Sequence, residues 1–332
     1  MKFHFEFDIK RAPKPVQHPQ QLMLMGSCFT ENIGDKLRKH KFKVLENPNG
    51  ILFNPVSVAE AVDSYLSGKL FTASDIFLHN ETWHSWKHHS RYSGITAEEC
   101  ISKINGSITQ AHQYLKHTDH LMITLGSAWL YTLTSEAANA VPGSVAANNH
   151  KAPASWFRKR LMPVTEAVAL LGDMVRKLQA YNPSLQLIFT ISPVRHLREG
   201  VIENNRSKAV LIQAVHELVD NFEQLYYFPA YELVIDDLRD YRFYAEDLVH
   251  PNYHATQYVW DKFTDACMNE ETRSLMKEIA ELNLAFQHKP FNPGTSQHQK
   301  FLKTYLVKTQ SLQERYPYLD LSGELEYFRN HL

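Results

Sequence analysis

Three short, unbroken apolar runs decide what this chain can fold into. They are Leu22-Met23-Leu24-Met25, Leu121-Met122-Ile123-Thr124-Leu125 and Leu185-Gln186-Leu187-Ile188-Phe189-Thr190-Ile191. A strand with one wet face alternates apolar and polar residues. A continuous run instead marks a strand buried on both faces, which needs helices above and below it. Leu233-Val234-Ile235 fits as a fourth such strand. Between these runs lie helical patterns. Phe29, Ile33 and Leu37 recur every four residues, and Val164 to Leu178 is rich in helix formers. Ser207 to Leu225 places apolar residues at Val210, Leu211, Ala214, Val215, Leu218 and Phe222. Strands alternating with helices predict an α/β fold around a parallel sheet.

Two stretches break the alternation. Residues 75–100 are rich in Trp, His and Ser, and residues 132–160 in Ala, Asn and Pro. Both are expected as insertions over one edge of the sheet. Residues 265–332 read as helix, interrupted near Lys289-Pro290-Phe291-Asn292-Pro293-Gly294. The expected division is a core domain over 1–264 and a helical C-terminal extension over 265–332.

Composition narrows the partners. With 35 Lys and Arg against 36 Asp and Glu, the net charge of −1 gives no basic field for nucleic acid or an anionic membrane. Cys28, Cys100 and Cys267 are too few and too scattered for a disulfide framework or a C-x-x-C site. The start, Met1 to Asp8, alternates like a strand and carries acids where an export signal has its apolar core. No run approaches the length of a membrane helix. The expectation is a cytoplasmic protein without cofactor or bound metal.

The chemistry is expected where strands end. Gly26-Ser27-Cys28-Phe29 closes the first strand and opens a helix. In an open α/β sheet, ligands bind at the carboxyl ends of the strands. A serine there lies at a helix N-terminus, where free N–H groups favour negative charge. Read from these residues, Ser27 is either a helix cap or a nucleophile. A nucleophilic serine needs a base, and Asp247-Leu248-Val249-His250 supplies a D-x-x-H pair. In a tight turn Asp247 would hold the ring N–H of His250, as the third group of a triad does. Cys28 is expected to pack inward, because neighbouring side chains at a strand end point apart.

Several segments together resemble the GSCFA family, a bacterial branch of the SGNH/GDSL hydrolase superfamily. They are Gly26-Ser27-Cys28-Phe29, followed here by Thr30 rather than alanine, and Asn47-Pro48-Asn49-Gly50-Ile51-Leu52-Phe53-Asn54-Pro55. Next come Gly126-Ser127-Ala128-Trp129, Ser192-Pro193-Val194-Arg195-His196, Glu203-Asn204-Asn205-Arg206-Ser207-Lys208 and the D-x-x-H pair. The resemblance implies a flavodoxin-like, three-layer α/β/α sandwich with about five parallel strands. It implies a Ser27, Asp247, His250 triad and an oxyanion hole from the N–H of Ser27, a glycine N–H and an asparagine amide. Gly50 is the candidate glycine. Asn148 is the candidate asparagine, with Asn49 and Asn54 as alternatives, because the 126–129 block holds none.

Around that centre, Trp83, Trp86, His88 and Trp129 are candidate walls for a sugar or other substrate, or packed supports of an insertion. Arg195 would bind a substrate anion or pin the scaffold, and His196 is a second candidate base. His84 and His88 lack the glutamate of H-E-x-x-H, so zinc protease chemistry is unsupported. The expected activity is hydrolysis of a small or saccharide ester through an acyl-enzyme. The alternatives are acyl transfer to an alcohol with the same triad, and non-enzymatic binding of carbohydrate or peptide.

Overall fold

A computed structural model describes residues 5–332. Its strands are β1 (Gln21–Gly26), β2 (Lys43–Glu46), β3 (Phe77–His79), β4 (Thr82–His84), β5 (His120–Leu125), β6 (Trp129–Leu133), β7 (Phe157–Leu161), β8 (Gln186–Ile191) and β9 (Leu225–Tyr227). The central sheet runs β2-β1-β5-β8-β9, with every neighbouring pair parallel. The chain leaves β1 for β2 on one side and later crosses to β5 on the other. The crevice where connections part lies beside the end of β1, the usual ligand position in such sheets.

Helices cover both faces. On one lie α1 (Cys28–Lys39) and, later in the chain, α7 (Tyr253–Cys267). On the other lie α2 (Pro55–Ser67), α3 (Ala97–Leu115), α4 (Val164–Tyr181) and α5 (Val201–Asn221). A short α6 (Ala230–Glu232) precedes a π-helical turn, Leu233–Leu238. The continuous apolar runs follow from this layering. Met23, Met25, Leu121, Ile123, Leu187 and Phe189 pack toward α2, α4 and α5, while Leu22, Leu24, Met122 and Ile188 meet Phe29, Ile33, Val259 and Phe263. Each such side chain removed from water contributes about 1.5–3 kcal/mol.

The expected fold class and strand number hold, but one expected strand is absent and both edge strands, Lys43–Glu46 and Leu225–Tyr227, lie where no strand is expected. Leu233-Val234-Ile235 is not a strand; it lies in the π-helical turn, where Leu233 and Val234 are fully buried. A three-residue apolar run has too little period to tell a strand from a buried helical turn. The fifth strand is Leu225–Tyr227, whose first residue reads as the end of the preceding helix. Residues 5–8 form no strand, and the rest of the alternating start lies outside the described residues.

Both insertions carry antiparallel hairpins, β3–β4 and β6–β7. They share a small core of Phe77, Trp86, Leu133, Ala137 and Ala146. Lys87 ties them to Glu60 on α2 at 2.8 Å. The C-terminal region forms α8 (Glu270–Gln287), α9 (Ser296–Arg315) and α10 (Ser322–Asn330), with the expected break before α9. These helices bury Leu275, Ile279, Leu282 and Leu312 among themselves. They join the sheet domain through Met276, through Lys41 to Glu324 at 2.6 Å, and through Asn283 to the Lys39 carbonyl at 2.6 Å. No helix among the described residues is long and apolar enough to cross a membrane.

Candidate active site

The end of β1 is a forced turn. Gly26 has φ +133°, and a Cβ there would lie 2.1 Å from the Thr124 carbonyl oxygen on β5. Only glycine fits so close an approach in that conformation. The Gly26 N–H donates to Asn47 Oδ1 at 2.9 Å, which fixes the turn from the β2 side. Ser27 follows at the N-cap position of α1, extended, yet its hydroxyl makes no capping hydrogen bond. Ser27 is fully buried and its Oγ has no partner among the described residues. Capping therefore does not account for this serine.

Asp247 and His250 do meet. Asp247 Oδ2 accepts from His250 Nδ1 at 2.6 Å, while Oδ1 accepts the backbone N–H groups of Val249 and His250 at 2.9 and 3.0 Å. The turn closes through Leu248 at φ +57°. The His250 backbone N–H, its ring and the Val249 N–H hold the Asp247 carboxyl down at about 2. With Nδ1 donating to Asp247, Nε2 is left as the accepting nitrogen. Both side chains are about half exposed, at 49% and 51%, and no hydrogen bond joins His250 to Ser27.

Arg195 holds this turn in place. Its N–H donates to the Val249 carbonyl at 3.3 Å and Nη1 to the Leu248 carbonyl at 3.4 Å. Its guanidinium lies 4.3 Å from the Tyr244 ring centre and 5.3 Å from that of Tyr241. Of its two expected roles, the pinning one describes these contacts. His196 points inward, edge-on to Phe53, with a buried Nε2 that has no partner among the described residues. Burial, then the nearby Lys208 charge, lowers it to about 4.

The expected oxyanion donors fare differently. The Ser27 N–H is spent on the Thr124 carbonyl at 3.1 Å, and the Gly50 N–H on the Asn47 carbonyl at 2.7 Å. Gly50 has φ +79°, with no room for a Cβ against His89; the glycine is required for the turn, but its amide is occupied. Asn49 and Asn54 have both ends of their amides engaged. Asn148 is half-buried beside Ser90, its oxygen bonded and its nitrogen without a partner among the described residues. By helix geometry the N–H groups of Cys28 and Phe29 have no intrahelical acceptor; both lie against the Cys28 thiol.

Two expected substrate-wall residues, Trp86 and His88, are buried supports instead, while Trp83 is half-buried. Trp86 is 5% exposed, stacks on Phe77 at 3.8 Å and donates its indole N–H to the Ala138 carbonyl at 3.0 Å. His88 is 1% exposed and bonds Ser85 at 3.0 Å, and burial lowers it to about 3. Trp83 packs with Ile76 and Cys100 under α3. Trp129 is half-buried, with its indole N–H on the Glu203 carbonyl at 3.1 Å and the Lys159 ammonium 4.1 Å above its ring. Cys28 is half-buried against the core below α1, and burial raises its thiol away from the reactive thiolate form. Among the described residues no group of three His, Cys, Asp or Glu side chains is placed to hold a metal ion.

One face of α5 binds the strand ends from below. Asn204 Oδ1 accepts the His196 N–H at 2.9 Å, Ser207 Oγ accepts the Ala128 N–H at 2.7 Å, and Lys208 Nζ donates to the carbonyls of Gly126 and Ser192 at 2.7 and 2.6 Å. The sequence pattern assigned these residues no role. The segments that converge here all fall inside residues 21–263, which match the GSCFA family. The chain belongs to the GSCFA family. Residues 279–332 match the GSCFA domain protein, C-terminal domain, so the helices α8 to α10 largely coincide with a recognised part of GSCFA proteins.

No curated protein matches this GSCFA chain in sequence. Among solved structures, it is similar to a proposed platelet activating factor from Streptococcus pneumonia (12% identity, TM-score 0.40, covering 74% of this chain and 83% of that one). A carbohydrate esterase family 3 structure from Talaromyces cellulolyticus matches at 8% identity and TM-score 0.36, covering 78% of this chain and 99% of that one. The acetyl xylan esterase Est2A from the rumen bacterium Butyrivibrio proteoclasticus matches at 11% and 0.37, covering 76% and 64%.

Proposed function

We propose that this GSCFA protein is a serine-dependent ester hydrolase of the SGNH kind, removing an acyl group from a saccharide or another small ester. The observation that carries this is the Asp247–His250 hydrogen bond of 2.6 Å in a turn anchored by Arg195 to the loop after β8. In this mechanism Nε2 of His250 takes the proton of Ser27 Oγ as that oxygen attacks the ester carbonyl. Asp247 keeps the ring oriented and stabilises the imidazolium. The carbonyl oxygen becomes an oxyanion near the start of α1, where the Cys28 and Phe29 N–H groups turn to it from the Cys28 thiol and the Asn148 amide is the proposed third donor. His250 then protonates the departing alcohol. Water, deprotonated by the same nitrogen, releases the acid and restores Ser27.

Ser27 Oγ must meet His250 Nε2 for this to happen, and in the free protein it does not. Catalytic hydrogen bonds commonly tighten only with substrate. The same observation favours a second reading, a carbohydrate- or peptide-binding protein with no chemistry. A fluorophosphonate probe separates the two. Hydrolase function predicts an adduct on Ser27, found by mass spectrometry, that is lost in Ser27→Ala and His250→Ala. Folded wild-type protein that takes no label, yet binds a saccharide or peptide, would decide for the second.

A further inference from the structure

The rim of the sheet holds a charge that this mechanism does not use. Lys208 continues the buried stripe of α5 that includes Ser207, Leu211, Ala214 and Val215, yet it ends in an ammonium and is 1% exposed. Burying a cation costs several kcal/mol, and a hydrophobic side chain of similar size commonly replaces buried ions without loss. No carboxylate lies within ion-pair distance of it among the described residues; its partners are the carbonyls of Gly126 and Ser192. Two neutral acceptors satisfy hydrogen bonds but leave the charge uncompensated. The titratable groups that face it are Cys28 on α1, His196 after β8 and the Tyr231 ring on α6 at 5.9 Å. Cys28 adjoins Ser27, so the ammonium lies within electrostatic reach of the nucleophile's turn.

The donors around that turn sharpen the point. The N–H groups of Ser27 and Gly50 are bonded, and those of Gly126 and Ser127 both donate to the Phe53 carbonyl. An anion forming at Ser27 finds few free dipoles there. We infer that Lys208 is the counter-charge of this site, a positioning residue that stabilises the oxyanion through space while it fixes the strand-end loops after β5 and β8. This rests on the proposed hydrolase function. Burial lowers the Lys208 ammonium to about 7, so the charge is present below neutral pH and fades above it.

The test is the rate of fluorophosphonate labelling at Ser27 from pH 6 to pH 9, in wild type, Lys208→Gln and Lys208→Met, with thermal unfolding measured alongside. Gln keeps a donor for the carbonyls without the charge, and Met keeps the packing volume. The expected result is labelling slowed about 10–100-fold in both variants at pH 6, less than the loss of a directly bonded oxyanion donor because the ammonium acts through space. The ratio of wild type to variant should then shrink as pH rises, because wild type loses a charge the variants never had. A purely structural lysine would give a ratio that does not move with pH, and that result, or folded variants labelled at the wild-type rate, would overturn the inference. Absence of label in wild type would instead remove the hydrolase function on which it rests.

Discussion

The two halves of the candidate site are built in opposite ways. The Ser27 half is buried and over-determined: a glycine with no room for a Cβ, an asparagine bond from Asn47, and clamps from Asn204, Ser207 and Lys208 beneath it. The His250 half is a half-exposed turn held by its own carboxylate and by Arg195. A buried half moves only with the fold. A surface turn can shift while the fold persists. The difference teaches that damage to chemistry and damage to stability should separate between the halves.

The sharpest test of that separation is Asp247→Asn. It removes the charge that orients His250 while touching nothing buried. Turnover of any accepted ester should fall by about 10⁴-fold, as for a triad that loses its acid. The unfolding temperature at neutral pH should change little. A large stability loss would show that the turn is tied into the core more closely than its exposure suggests.

On the other side of the comparison, Trp86→Ala should cost about 3–5 kcal/mol, the range for large-to-small changes of an aromatic core residue. It empties the middle of the small core shared by the insertions. Denaturant unfolding would measure it. The surviving folded fraction should keep normal Ser27 labelling, because Trp86 forms no wall of the site. A specific loss of labelling would restore it as a substrate contact.

The sequence revealed the two halves unevenly, for physical reasons. Ser27 was legible because a continuous apolar strand, a glycine and a helix meet at one point. Asp247 and His250 were legible because a three-residue spacing lets them bond within a turn. The edge strands were not: Lys43–Glu46 is charged at both ends, and Leu225–Tyr227 begins where a helical pattern stops. The Trp83 to Ser90 cluster misled because residue type alone does not say which face is wet. Trp86 and His88 turned inward. Lys208 did carry a signal, a lysine three residues before Leu211 on a stripe otherwise destined for burial. That signal has meaning only once the helix is known to lie under the strand ends.

Arg195→Ala probes the joint between the halves. It removes the Nη1 bond to Leu248 and the cation stacked on Tyr244, but leaves the backbone bond to Val249. Turnover should drop by about 10–100-fold, the price of a small misplacement of a catalytic group. Stability should fall by only about 1 kcal/mol, as for one hydrogen bond. Restoration by Arg195→Lys is not expected, since an ammonium does not stack as a planar guanidinium does.

The smallest effect lies in acid. The Asp247 carboxyl is held near 2, below its ordinary value of 3.8, chiefly by the His250 N–H and ring. A depressed carboxylate pKa means that the folded state binds its proton later than the unfolded chain does. Its contribution to stability is therefore complete above about pH 4 and is lost as pH falls toward 2. The difference in unfolding temperature between wild type and Asp247→Asn should be small and constant above pH 4, then close below it. Because the pair is solvent-exposed, added salt should shrink that difference further. A difference that persists unchanged to pH 2 would mean that Asp247 acts through shape rather than charge, and would place the His250 turn among the rigid parts of the molecule.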